Sequence, residues 1–188
     1  MRAPRTKLFI LLSTQGAIYF AIALFAPLYA IYVEHIGGEI LTAGSAIAVF
    51  AGVTGLMTLV IGRFASRYAT ARTVAVSGWV ILGFGFLGYL FVKTPAHLFI
   101  IQAVLGLATA AYFPPVEALY SRFVTHRSER DIVQWSWWDT MEYWAQAGGA
   151  FVGALIVTAW GFPALFIIMS LLAFLAAISL LVLLPPNT

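Results

Sequence analysis

The chain has 188 residues, of which 62% are hydrophobic and 9% charged, with a net charge of +3 and no cysteine. Soluble domains carry about 25% charged residues, so this composition excludes a water-facing globule and points to lipid as the solvent. Without cysteine, thiol catalysis, disulfides and thiolate-bound metal are excluded as well.

A hydrocarbon layer about 30 Å thick takes about 20 helical residues to cross. Six apolar runs reach that length, the fifth at 138–159, and they predict an all-α integral membrane protein forming one six-helix domain over 1–188, with helices at 8–33, 41–61, 73–92, 97–120, 129–159 and 162–184. The first run follows Arg2, Arg5 and Lys7. It is too long for the apolar region of a signal peptide, and no cleavage site follows, so it reads as a retained span. It carries Gln15 and Tyr19 one turn apart, and Pro27 predicts a break near its far end.

The turn "EHIGGE" leads into the second run, where Ala48 and Gly52, then Ala51 and Gly55, recur at four-residue spacing. That spacing lets helix backbones approach closely in lipid. Thr54 and Thr58 are polar positions of this run. A basic stretch with Arg63, Arg67 and Arg72 precedes the third run, which is punctuated by Gly78, Gly83, Gly85 and Gly88. After "KTPAH" the fourth run holds Gln102, Thr109 and Tyr112, then Pro114 and Pro115, which predict a second kink or break, and ends with Glu117 and Arg122.

"SERD", at 128–131, fits a capping box and starts the fifth helix ahead of the membrane. "WSWWDTMEYW" then places an aromatic belt at the interface. Counting about 20 residues back from Trp160 puts Asp139 at the inner boundary, with Glu142 about one turn deeper. Glu142 shares a face with Gln146, Gly149 and Gly153, a small-residue face that should look into protein, leaving Trp137 and Trp144 toward lipid. "WGFP" separates the last two runs.

Glu117, Asp139 and Glu142 thus come to one depth, near Arg63, Arg67, Arg72 and Arg122. They read as a structural ion-pair layer or as a gate at the inner end. Nine basic residues fall on one side of the membrane and Lys93 alone on the other. The positive-inside rule makes both termini cytoplasmic and the protein a multi-pass component of the cell's inner membrane. The arginines are dispersed around span ends, so they form no nucleic-acid footprint. His35, His97 and His126 belong to three loops and cannot share a metal. With no ionisable group expected at the midplane there is no enzyme centre, and neither cofactor nor metal is expected. The substrate-path candidates are Gln15, Tyr19, Thr54, Thr58, Gln102, Thr109, Tyr112 and Gln146, a set suited to a neutral or amphipathic small molecule.

Several stretches together resemble one half of a major facilitator superfamily transporter: "GRFASRYATAR", "GLATAAYFPPVEALYS" and "GGAFVGALIV". Gly62 and Arg67 match the glycine and first basic position of that family's loop motif, and Arg72 lies near its basic end. Ser66 stands where the motif has aspartate, Ala69 where it has a second glycine, and Thr70 where it has a basic residue. Gln102 stands near a position where many members carry arginine. The glycines after Ala147 resemble a close-packing motif of exporters without its proline. The resemblance implies two inverted three-helix repeats and a substrate path between two halves. A homodimer working by alternating access would supply the second half; the alternatives are that this chain is a piece of a longer protein, or a membrane assembly protein that transports nothing.

Overall fold

The computed structural model describes residues 4–124 and 128–183, apart from the side chains at 4–5, 65–68, 123 and 128–131. Arg67, His126 and the side chains of the "SERD" cap lie outside the described residues. The described residues form helices joined by short turns: α1 (Pro4–Phe25), α2 (Tyr29–His35), α3 (Ile40–Tyr68), α4 (Ala71–Gly88), α5 (Pro95–Phe123) and α6 (Ser128–Leu183). Among the described residues, five helical stretches are long and apolar enough to cross a membrane. Their uniformly apolar character is what lipid requires, because every backbone amide is satisfied within its own helix.

The local signals account for the ends. Pro27 lies in a 3-10 turn, Ala26–Leu28, that separates α1 from α2. Thr70 caps α4 by accepting from the Thr73 amide at 3.2 Å, and Pro95 occupies the first turn of α5, where its missing donor costs nothing. The break expected at Pro114 and Pro115 does not occur, since α5 runs through both. In a bundle, neighbouring helices hold such a segment helical despite the lost amides.

α6 is interrupted once, at Gly161, with φ 77° and ψ 176°, two residues before Pro163. The positive φ suits only glycine without strain, and it turns the chain. Before the turn α6 runs parallel to α1, with Gly16 against Met141, Gly149 against Phe20 and Ala23, and Gly153 against Leu24. After it the helix runs antiparallel to α4: Phe166 stacks on Tyr89, Phe174 lies against Gly83, and Arg72 reaches the carbonyls of Leu180 and Leu181. α4 and α5 are antiparallel, with Gly78 on Tyr112, Gly85 on Leu105 and Gly88 on Ile101. One end of the bundle is therefore basic, carrying Lys7 and Arg72. The other is aromatic: the Phe25 ring lies 5.1–5.6 Å from those of Tyr29, Tyr32, Tyr89 and Phe166.

Glycine sets how closely the helices approach. A Cβ on Gly149 would come within 2.7 Å of the Phe20 carbonyl, and one on Gly153 would fall on the carbonyl of Leu24. Gly52 and Gly55 behave differently, for nothing lies within 4 Å of a Cβ at either. The packing expected of them is absent within the chain, because α3 touches mainly α5 through its opposite side. Gly106 of α5 meets Phe50, Val53 and Thr54 there.

Candidate functional site

Polar residues of α1, α5 and the first arm of α6 lie near one another toward the basic end of the bundle, with Gln15, Tyr19 and Tyr112 buried, Glu142 half-buried and Gln146 exposed. The parallel contact of Gly16 with Met141 fixes their level. Gly16 is nine residues beyond Lys7, about 13 Å along a helix rising 1.5 Å per residue. Glu142 follows Met141 and is half-buried.

Glu142 accepts a hydrogen bond from Gln146 Nε2 at 2.9 Å. Its carboxylate is also within electrostatic range of the Tyr19 and Tyr112 phenols and of Glu117. Tyr19 is held edge-on to Trp138 at 6.4 Å, and Tyr112 tilts over Trp79 at 6.3 Å. One turn before Tyr19, Gln15 is fully buried, and neither atom of its amide has a hydrogen-bond partner. Thr109 lies beside the Tyr112 hydroxyl. Gln15, Tyr19, Thr109, Tyr112 and Gln146 are thus brought together, with two carboxylates among them.

Arg72 does not join these acids. Arg72 donates from Nε to the Leu180 carbonyl at 3.4 Å and from Nη2 to that of Leu181. It caps the last turn of α6, where free carbonyls and the negative end of the helix dipole attract a cation. Arg72 is thus engaged away from Glu117, Asp139 and Glu142. Asp139 is exposed and near the Tyr120 hydroxyl, while Arg63 and Arg122 are exposed near the basic ends of α3 and α5. Shared depth did not give shared azimuth.

The remaining candidates lie elsewhere. Thr54 Oγ1 reaches the carbonyls of Phe50 at 2.7 Å and Gly106 at 3.2 Å, which ties α3 to α5, and Thr58 donates to Thr54 at 2.8 Å. Gln102 donates to the Tyr89 hydroxyl at 3.3 Å, and Tyr32 to the Tyr89 carbonyl at 3.1 Å. Gln102 therefore belongs to the aromatic end. Sequence reasoning missed that cluster, although Phe25, Tyr29 and Tyr32 repeat at i, i+4 and i+7, one helical face.

Comparison with known proteins agrees with this architecture. The family model described as Major Facilitator Superfamily matches residues 11–188. The multidrug resistance protein MdtG of Serratia proteamaculans (strain 568) is 24% identical over 182 residues, covering 95% of this chain and 43% of that protein. The chain thus spans about two fifths of the length of this curated relative.

Proposed function

This chain belongs to the major facilitator superfamily, whose members are transporters rather than enzymes, and from that premise we propose that it is a half-size secondary transporter of an amphipathic small molecule, working as a homodimer by alternating access. The observation that carries the reading is the buried polar set of Gln15, Tyr19 and Tyr112, with Glu142 and Gln146 at its edge, in an otherwise apolar, integral multi-pass membrane protein. Polar groups at such depth are expensive in lipid and are kept where they line a path.

In this reading α6 crosses twice, turning at Gly161, which makes six crossings arranged as two three-helix repeats with both termini cytoplasmic. The aromatic end then faces outward. The second half comes from another copy, seated on the open face of α3. On α3, Gly44, Gly52, Gly55 and Gly62 each have nothing within 4 Å of a Cβ, beside the exposed Ile47, Leu56 and Leu59 of the same helix. Large apolar side chains suit lipid, and small ones suit a helix.

Reconstitution into proteoliposomes tests this reading, with flux of a solute panel measured beside the mass of the assembly in nanodiscs. Solute movement by a dimer is expected. A dimer that moves no solute, whatever the gradient, would favour a membrane assembly protein instead.

A further inference from the structure

A groove opens between α2 and α3 at the aromatic end, beside the turn that Gly37 makes with a positive φ. It holds about 550 Å³ and is lined by Ala30, Ile31 and Glu34 of α2 and by Glu39, Ile40 and Leu41 around the start of α3. His35 ends one membrane-capable stretch and Ile40 begins the next, so the groove lies at the boundary of the bilayer. Its apolar side is open, with Ile31 56%, Leu41 78% and Ile40 93% exposed. Its polar side carries the exposed carboxylates of Glu34 and Glu39, and no basic side chain lines it among the described residues.

Three features of the groove correspond to the three parts of one kind of molecule. Carboxylates at headgroup depth attract a cation, and a primary ammonium has three N–H donors to divide between Glu34 and Glu39. The first amides of a helix have no partner within it and favour an anion, which suits a phosphate at the start of α3, a helix of 29 residues. Ile31, Ile40 and Leu41 offer acyl chains an apolar surface continuous with the hydrocarbon. An anionic lipid brings the two acids no cation. A quaternary ammonium brings the charge but no N–H to donate.

We propose that the groove between α2 and α3 binds a phospholipid with a primary ammonium headgroup, its ammonium between Glu34 and Glu39, its phosphate at the N-terminus of α3 and its chains over Ile31, Ile40 and Leu41. The site stands whether or not the chain moves a solute.

Dioleoyl phosphatidylethanolamine, phosphatidylcholine and phosphatidylglycerol share their chains and differ in headgroup, so the three isolate the ammonium. The full chain in detergent micelles is titrated with each, and bound lipid is counted by native mass spectrometry. Phosphatidylethanolamine should be held at least about tenfold more tightly than either of the others, as charge-assisted hydrogen bonds predict. Glu34→Gln combined with Glu39→Gln should abolish that preference. Leu41→Gln should weaken all three lipids alike, which separates the chain contact from the headgroup contact. Should the double variant fail to fold, Glu34→Gln alone replaces it, and the preference should fall about threefold or more. Equal retention of the three lipids, a preference that survives loss of the carboxylates, or affinities unchanged by Leu41→Gln overturns the site. Phosphatidylethanolamine held by monomers but absent from dimers would give the groove to the second copy and overturn the lipid site as well.

Discussion

Gln146 donates to Glu142 across one turn of α6, amide nitrogen to carboxylate oxygen at 2.9 Å, so this half-buried acid is held by a neutral, exposed neighbour. Its charge is hydrogen-bonded but not compensated. Removing one member of a buried ion pair costs about 3–5 kcal/mol because the other is left behind; here neutralisation leaves no such remainder. Glu142→Gln is therefore expected to melt at or above the temperature of the parent protein in the same lipid. A fall equivalent to several kcal/mol would mean that Glu142 has a cationic partner.

The glycines of α3 and α6 differ in what surrounds them, and substitution should expose the difference. Gly153→Ala sets a methyl group on the Leu24 carbonyl and should destabilise the chain by about 1–3 kcal/mol, the usual cost of overpacking. Gly55→Ala meets nothing within the chain and should leave the monomer's melting within about 0.5 kcal/mol. If a second copy covers α3, Gly55→Leu weakens self-association in nanodiscs while the monomer still folds. Equal melting of the Gly153 and Gly55 alanine variants would count against the described packing of α1 on α6.

Both glycine sets carry the same four-residue spacing in the sequence, and that limits what can be read there. Spacing reports that a helix can be approached closely, and the approaching helix has to come from the fold: α1 reaches Gly149 and Gly153, and nothing in the chain reaches Gly52 and Gly55. The membrane-crossing segments were legible because lipid demands long uncharged runs, and "WGFP" marked the turn that Gly161 makes. Bringing Gln15, Tyr19, Tyr112 and Gln146 into one set needed only the rarity of polar groups in such runs. The arginines were misjudged because counting along a helix gives depth without azimuth. Arg72 stands near the expected level yet turns to α6.

Arg72 ties the start of α4 to the end of α6 through two carbonyls that the helix itself cannot satisfy. Arg72→Ala should lower stability by about 1 kcal/mol, from the lost charge-assisted hydrogen bonds and the favourable helix-end charge. The loss should be local. Amide exchange is expected to quicken in the last two turns of α6 and at the start of α4, with residues around Gly153 unchanged. Lysine at this position should recover part of the effect, because the charge remains while the planar fork is lost. Protection unchanged at the end of α6 would show that the cap contributes nothing.

The sense of each helix can be tested cleanly, since the chain has no cysteine and any introduced thiol is the sole reactive group of its kind. Parallel packing of α1 with the first arm of α6, and antiparallel packing of the second arm on α4, put His35, Lys93 and Trp160 toward the aromatic end and Arg72 and Arg122 toward the basic end. With Lys7, Arg63, Arg72 and Arg122 at the basic end among the described residues, the positive-inside rule predicts that this end faces the cytoplasm. Single cysteines at 35, 93 and 160 should react with a membrane-impermeant maleimide added to intact cells. Those at 72 and 122 should react only after permeabilisation. Position 160 carries the most weight, because it flanks Gly161: a helix that did not turn there would leave residues after 163 on the outer side, and a cysteine near 183 would then react in intact cells. Labelling at 160 from outside, together with labelling near 183 only after permeabilisation, requires α6 to cross the bilayer twice.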